Sequence, residues 1–401
     1  KTKRRKALLD ECINLNIKVQ KVPNPKSWIN GEFSSKQFVK AKIEDLLGRE
    51  EIKLSENQIN NNIHNKTVLV TGAAGSIGSG LVKQIANFNP KLVILFDQAE
   101  SALYDLQWDL HETYPELKFE IVIGDVTHEK RVLNLISSFR PQIVFHAAAY
   151  KHVPLMELNP SEAVKTNVLG TKILADTSDQ LKVEKFIFIS TDKAVNPTNV
   201  MGATKRAAEI YVQYKNSNSS TQYITTRFGN VLGSNGSVIP LFQKQIENGG
   251  PITITDERIN RFFMSIPEAC QLVLEAGTMG KGGEIYVFDM GESVKIIDLA
   301  KKMISLSGLT LNKDIEIKIT GLRPGEKLYE ELLANEENTI ATHHEKILIA
   351  KTSARDNMNS KIEELISLID GQKNKELVLI LKSIIPEYLS KNSEFEKLDK
   401  E

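Results

Sequence analysis

Phe186-Ile187-Phe188-Ile189-Ser190-Thr191-Asp192-Lys193-Ala194 is the stretch on which the reading of this chain turns. An apolar, β-prone run that stops in Ser-Thr-Asp-Lys reads as a buried parallel strand with polar side chains at its carboxyl edge, where open α/β sheets bind ligands. Met201-Gly202-Ala203-Thr204-Lys205 follows closely. Lys205 belongs to a segment, Gly202 to Asn216, whose apolar positions Ala207, Ala208, Ile210, Tyr211, Val212 and Tyr214 suit a helix packed on the sheet. An acid, a base and a second lysine then converge on one pocket.

Toward the amino terminus, Lys66 to Thr71 forms a short apolar strand that runs into Gly72-Ala73-Ala74-Gly75-Ser76-Ile77-Gly78. Glycines at this spacing between a strand and a helix allow a tight turn and close backbone approach to a pyrophosphate, and the helix N-terminus supplies N–H donors. Alone, the same glycines could simply pack helix on strand. A second strand, Leu92 to Phe96, ends in Asp97, at about the twenty-residue offset expected of a carboxylate that accepts ribose hydroxyls. With no arginine immediately after it, Asp97 favours NAD over NADP.

The alternation continues through a helix from Ser101 to His111, a strand Phe119 to Ile123, a helix around Arg131 to Ser138 and a strand Ile143 to His146. This rhythm predicts an α/β fold, a Rossmann-type doubly wound parallel sheet. Asp125, with Val126, is placed to meet an adenine, and Ala147 and Ala148 leave room for a dinucleotide backbone. His146 reads as a packing or hydrogen-bonding residue. Lys151 lines the pocket, and His152 and Glu157 are further candidates for its wall.

A long helix, Ala163 to Leu181, leads to the central stretch. Past it come a strand, Tyr223 to Phe228, and the loop Gly229 to Ser237, in which Asn230, Ser237 and exposed backbone N–H groups suit a second phosphate-bearing ligand. Helices Ile239 to Asn248, Pro267 to Ala276 and Lys295 to Ser307, with strands Ile252 to Thr255 and Ile285 to Asp289, then read as a smaller substrate-binding lobe. Arg258 and Arg261 lie in one of its loops; Arg323 and Glu326 lie in Arg323-Pro324-Gly325-Glu326-Lys327. Arginine presents a planar fork to phosphate oxygens, so loop arginines facing one cleft would clamp a diphosphate. The expected domains are a helical preface with its linker (1–65), an NAD-binding domain (66–235), the smaller lobe (236–335) and a helical extension (336–401).

Within the preface, Glu32 to Ser35, Phe38, Ile43, Leu46, Leu47 and Ile52 hint at small helices before an Asn-rich connector, Asn57 to Asn65. In the extension, helices are expected from Met358 to Ile369 and Glu376 to Tyr388, with a solvated tail from Lys391 to Glu401.

Fifty-one basic residues balance fifty-one acidic ones among 401, so no global field draws the chain to nucleic acid. Cys12 and Cys270 have no partner motif, and His343-His344 has no third ligand nearby. Neither a disulfide framework nor a metal site is expected, and a reducing, cytoplasmic setting is the natural reading. No run of about 18 apolar residues crosses a membrane. The chain starts at Lys1 rather than methionine, which reads as a fragment; Lys1 to Lys6 suits either a solvated terminus or a position beside a membrane segment.

With these residues laid out, the chain resembles the extended short-chain dehydrogenase/reductase family, and within it the UDP-N-acetylglucosamine 4,6-dehydratases of bacterial surface-glycan pathways. The resemblance covers roughly residues 66–333. It rests on Thr71 to Gly78, Ala148-Ala149-Tyr150-Lys151-His152-Val153-Pro154, Ser190 to Ala194, Arg227-Phe228-Gly229-Asn230-Val231-Leu232-Gly233-Ser234 and Arg323 to Lys327. Most of that family carries a tyrosine four residues before its lysine, and here that place is Met201. The substitution is characteristic of the large, often membrane-anchored members that retain configuration at C5.

The resemblance implies bound NAD that takes hydride from C4, loss of water across C5 and C6, and return of the hydride to C6. It implies that Lys193 removes the C5 proton, Asp192 protonates the departing C6 hydroxyl, Thr191 relays the C4 proton, and Lys205 holds the nicotinamide ribose. Gly72, Ala74, Gly75, Ser76 and Ile77 would hold the cofactor. A homo-oligomer is expected, with a full-length form anchored to the inner membrane on its cytoplasmic side. The rivals are a UDP-sugar 4-epimerase or C4 reductase, which need the tyrosine and not Asp192-Lys193, and a non-catalytic dinucleotide-binding regulator.

Overall fold

The computed structural model describes residues 55–331, 339–350 and 358–400, with a few isolated residues before position 55. The expected preface helices between Glu32 and Leu47, and the basic cluster Lys1 to Lys6, lie outside the described residues.

Strands β1 (Thr67–Thr71), β2 (Leu92–Asp97), β3 (Phe119–Ile123), β4 (Ile143–His146), β5 (Lys185–Ile189), β6 (Gln222–Arg227), β7 (Ile285–Phe288), β8 (Thr339–Ala341) and β9 (Ile347–Ala350) form one nine-stranded sheet. Its order is β8-β9-β7-β6-β5-β4-β1-β2-β3. Strands β1 to β7 run parallel. The β9 strand pairs antiparallel with β7, and β8 antiparallel with β9. Chain order reverses between β1 and β4, so a crevice opens outside their carboxyl ends.

Phe186, Ile187 and Phe188 of β5 are 0%, 1% and 0% exposed because helices cover both faces of the sheet. Each such side chain contributes about 1.5–3 kcal/mol by leaving water. The longer helices are α1 (Glu56–Ile63), α2 (Ser76–Ala86), α3 (Glu100–Thr113), α4 (Glu129–Phe139), α5 (Gly170–Gln180), α6 (Val200–Asn216), α7 (Val238–Glu247), α8 (Ile266–Met279), α9 (Ile296–Leu306), α10 (Met358–Ser367) and α11 (Asn374–Ile384). Residues of α4, α5, α6, α10 and α11 share one core on one face, and residues of α1, α2, α3 and α8 share a second core on the other. Helix α8 starts in a capping box of Ser265 and Glu268 and passes so close to α2 that a methyl group on Gly80 would lie 2.7 Å from Cys270 Sγ.

Several expectations need correction. The Asn-rich connector is largely helical: α1 turns Ile59 and Ile63 into the second core, a pattern hidden by the polar asparagines on its other side. The long helix from Ala163 is interrupted by a π turn, Lys165–Leu169, between Pro160–Val164 and α5. Strand β7 and helix α8 belong to the main sheet and its cover, because α8 is the crossover that returns the chain parallel to β6. What remains as a smaller body is α7, α9 and the parallel pair Ile252–Ile254 with Ile317–Ile319, around its own apolar cluster.

The extension is not purely helical either, since β8 and β9 lie within it. Its end is largely exposed, as expected, with Lys391, Asn392, Glu394, Glu396 and Lys397 facing solvent, but it is anchored. Tyr388, Ser390 and Phe395 are buried, and backbone bonds tie Leu389 N to Pro197 O, Lys391 N to Thr198 O and Gly325 N to Lys391 O. Residues 389–393 thereby form a strap between the loop after β5 and the loop of Arg323 to Lys327.

Candidate active site

The β1-to-α2 turn fits a dinucleotide on the evidence of its own backbone. Gly72 has φ +66°, and a Cβ there would sit 2.5 Å from Ala148 N. A Cβ on Gly78 would sit 2.0 Å from Gly72 O. Only glycine lets the turn close this tightly. Helix α2 begins after Gly75 with no side-chain cap, so its first N–H groups are left for a ligand. Asp97 ends β2 beside the turn, its Oδ2 accepting from Ala74 N and its Oδ1 from Ala99 N, both at 3.0 Å. A small hollow lined by Gly72, Asp97, Asp125, Val126, Ala147 and Ala148 continues from there. It adjoins a cleft of about 660 Å³ in whose wall lie Gly72, Gly75, Ser76, Ile77 and Ala147.

The far side of that cleft is built at the end of β5. Thr191 caps a short 3-10 turn, Asp192–Ala194, and Gly202 at the start of α6 comes so close that a Cβ would lie 2.1 Å from Lys193 O. Asn199 fastens this corner: its Oδ1 accepts from Gly202 N at 2.7 Å, and its Nδ2 donates to Gly325 O at 3.1 Å.

Asp192 is 2% exposed. Its Oδ1 accepts from Thr191 Oγ1 at 2.8 Å and from Lys193 Nζ at 3.0 Å, while its Oδ2 is buried without a partner. Thr191, Lys193, Lys205 and Met201 line the cleft; Asp192 lies just behind its wall and meets it through Thr191 and Lys193. Lys193 Nζ also donates to Asn230 Oδ1 at 3.3 Å and stands 3.6 Å from Glu330 Oε1. Burial works against the Lys193 ammonium, but the carboxylates of Asp192 and Glu330 outweigh it, with Arg261 opposing, and its pKa lies above the ordinary lysine value. Lys193 therefore rests as an ammonium.

Lys205 is its opposite. Burial brings this amine down to about 7, with Glu209 opposing, while Nζ donates to Ile189 O at 2.7 Å and sits 4.0 Å from the centre of the Phe188 ring. His146 is enclosed between Thr71 Oγ1 and Thr171 Oγ1; burial, with Lys205 adding to it, lowers its pKa to about 3, so it is a neutral structural residue.

Lys151, Asn230, Ser237, Arg261, Arg323 and Glu326 all line the cleft. Burial lowers the Lys151 pKa. The expected arginine clamp does not assemble in the way its spacing suggested. Arg258 lies off the cleft wall, 65% exposed at its side chain and bound to the carboxylate of Asp256 two residues earlier. Arg261 spends its guanidinium on Asn260 O, Leu328 O and Lys327 O, which makes it a fastener of the loop beyond Arg323. Arg323, 57% exposed, is the arginine left reaching over the opening, 3.4 Å from Glu326 Oε1. His152 lies in the cleft wall, whereas Glu157 is buried beneath it, accepting from Val200 N and Ser393 Oγ.

Glu330 was missed from sequence. It follows Tyr329 with no motif spacing, and its partner Lys193 is remote in the chain, so no local pattern marked it. Among the described residues no group of His, Cys, Asp and Glu could hold a metal ion.

Residues 68–352 match the family described as polysaccharide biosynthesis protein. The chain belongs to that family. The capsular polysaccharide biosynthesis protein CapD of Staphylococcus aureus is 47% identical over 90% of this chain and 61% of its own length. The UDP-N-acetylglucosamine 4,6-dehydratase (inverting) of Campylobacter jejuni is 35% identical over 70% of this chain and 81% of its own length. Among solved structures, Pen from Bacillus thuringiensis superposes with a TM-score of 0.68 at 33% identity, covering 78% of this chain and 99% of that one. The dTDP-glucose 4,6-dehydratase DesIV of Streptomyces venezuelae, solved with NAD bound, shares the fold at a TM-score of 0.56 and 20% identity, over 64% of this chain and 87% of that one. The family thus has the extended short-chain dehydrogenase/reductase fold, and its relatives include nucleotide-sugar dehydratases and epimerases. The chain spans about 60% of the length of the curated relatives CapD and EpsC, 61% and 58% respectively. Among the described residues no helix is long and apolar enough to cross a membrane.

Proposed function

We propose that this chain catalyses 4,6-dehydration of UDP-N-acetylglucosamine with bound NAD, yielding a 4-keto-6-deoxy sugar nucleotide for surface-glycan synthesis, with the C5 configuration retained. The observation that carries this reading is Lys193 in the cleft wall, 3.0 Å from the carboxylate of Asp192, with Met201 where a proton-accepting tyrosine would otherwise stand. Epimerisation needs a base at C4 and nothing at C5, so the Asp192–Lys193 pair would be idle in an epimerase.

In this reading Gly72, Gly75, Ser76 and Ile77 hold the pyrophosphate, and Asp97 the adenosine ribose. Asp125 and Val126 border the adenine, and Lys205 faces the nicotinamide ribose. NAD bound there would supply a hydride acceptor for C4 and a hydride donor for C6. Lys151, Asn230, Ser237, Arg323 and Glu326 receive the sugar nucleotide, with Arg323 reaching its diphosphate. Arg261 acts by shaping the loop.

The residues then handle protons. Thr191 hydrogen-bonds the C4 hydroxyl and relays that proton to water in the cleft, while its own contact with Asp192 Oδ1 orients it. Elimination requires a neutral amine and a carboxylic acid together. Moving one proton across the 3.0 Å contact from Lys193 Nζ to Asp192 Oδ1 breaks an N–H bond, forms an O–H bond and produces both at once. Lys193 then takes the C5 proton that the C4 ketone has acidified, Asp192 gives its proton to the departing C6 hydroxyl, Lys193 returns its proton to C5, and a proton from water restores the ammonium.

The test is incubation with UDP-N-acetylglucosamine followed by NMR. A 4-keto-6-deoxy product is expected. Recovery of the C4 epimer alone would establish the epimerase, and tight NAD binding with no turnover a regulator.

A further inference from the structure

An ammonium has three donors and no acceptor. Three oxygens surround Lys193 Nζ: Asp192 Oδ1 at 3.0 Å, Asn230 Oδ1 at 3.3 Å and Glu330 Oε1 at 3.6 Å. Two come from the polypeptide near β5 and β6; the third reaches across from the loop after Lys327. Glu330 lines the cleft, its side chain is 4% exposed, and its Oε2 is buried without a hydrogen-bond partner. A buried carboxylate with an orphaned oxygen costs stability and so calls for a role that offsets it. Arg261 Nε, 3.7 Å from Glu330 Oε1, is its counter-charge.

We propose that Glu330 is a positioning residue for Lys193: it holds the amine charged and fixed in the cleft wall until the proton is passed to Asp192 for the reaction. This rests on the reading of Lys193 as the base at C5. Charge at the four groups sums to zero before and after that transfer, because Lys193 and Arg261 balance Asp192 and Glu330, and the proton moves only within the set. Glu330 stands on Lys193's side of the transfer, so its carboxylate favours the stored form and the reprotonation of Lys193 when turnover ends.

The charged groups facing Lys193 are Asp192 on its own turn, Glu330 from the loop after Lys327, and Arg261 from the short strand Asn260–Arg261. Lys327 itself also feels both Asp192 and Glu330. Removing the Glu330 charge removes one of the two carboxylates that favour the ammonium.

The test is competitive acetylation of Lys193 across an alkaline pH series on the whole chain, read by mass spectrometry, for the wild type and for Glu330→Gln and Glu330→Asp. The amide keeps the shape and loses the charge, so the labelling midpoint of Lys193 should fall by about one pH unit, the effect of a charge at this range. Glu330→Asp should stay near the wild-type midpoint. In the activity assay, the alkaline fall of kcat, where the pair loses its shared proton, should move to lower pH in Glu330→Gln, with KM little changed. An unmoved midpoint in Glu330→Gln, or an equal fall in Glu330→Asp, would overturn the proposal. Should Glu330→Gln not fold, Glu330→Ala takes its place with the same expected fall, and a wild-type Lys193 that labels at or below the ordinary lysine midpoint would overturn the proposal as well. Labelling reports the amine alone, so a negative dehydration assay leaves this result readable and sinks only the assigned reaction.

Discussion

A thioether takes no proton, and Met201 is 3% exposed among apolar neighbours at the edge of the cleft. If its part is space-filling, Met201→Phe should leave measurable turnover, whereas Lys193→Ala should abolish solvent-deuterium exchange at C5 and lower kcat by about 10²–10⁴-fold. Loss of all activity in Met201→Phe with NAD still bound would count against a passive methionine. Both variants are read by NMR of the product in D₂O. What could be read at this scale from sequence alone was the identity of neighbours in the chain. Asp192 and Lys193 are adjacent, so their pairing was visible; Glu330 was not, because only folding brings it to the same nitrogen. Arg258 misled for the reverse reason, since the partner that claims it, Asp256, is itself a near neighbour in sequence.

At the scale of elements, two joints carry the site. The first is the turn between β1 and α2, where Gly78→Ala would drive a methyl group into Gly72 O. Expected are a loss of NAD affinity of tenfold or more by titration calorimetry and a lowered melting temperature. The second joins α6 to β6, where Glu209, 0% exposed, meets the Arg227 guanidinium through Nε and Nη2, with Arg206 also in contact. Burial alone would raise this carboxyl, yet Arg227 and then Arg206 drive it down to about 2. A depressed carboxyl stabilises the fold above its unfolded value of about 4.3 and gives that stability up as pH falls toward the folded value. Thermal melts should therefore weaken between about pH 4.3 and pH 2. Glu209→Gln should cost about 3–5 kcal/mol at neutral pH by stranding Arg227, with a shallower acid dependence.

The parallel strands and their helices were legible because apolar runs and helical periodicity are local. The edge strands were harder: Ile347 to Ala350 is apolar, but that it turns back antiparallel on β7 depends on a partner far upstream.

Across the whole molecule, the strap 389–393 couples the carboxyl-terminal helices to both loops of the reaction cleft. Asn392 Nδ2 donates to Glu326 O at 3.0 Å, and Ser393 Oγ donates to Glu157 Oε2 at 2.6 Å. Burial, partly offset by Ser393 and Val200, raises the Glu157 pKa. Ser393→Ala would leave that oxygen short of a donor and should cost about 1–3 kcal/mol in denaturant unfolding. Through the Gly325–Lys391 contact it should also raise KM for the sugar nucleotide more than it lowers kcat. An unchanged KM in a destabilised variant would confine the strap to stability.

Because that strap lies far downstream of β5 in the chain, the order of synthesis has a say in when the cleft is completed. A ribosome would release β5 and its lysine long before Lys391 emerges to fasten the loop of Gly325. A growing chain would then carry Lys193 beside an unfinished cleft, and a protease cut upstream of the strap would return a mature chain to that unfinished state without touching Thr191, Asp192 or Lys193.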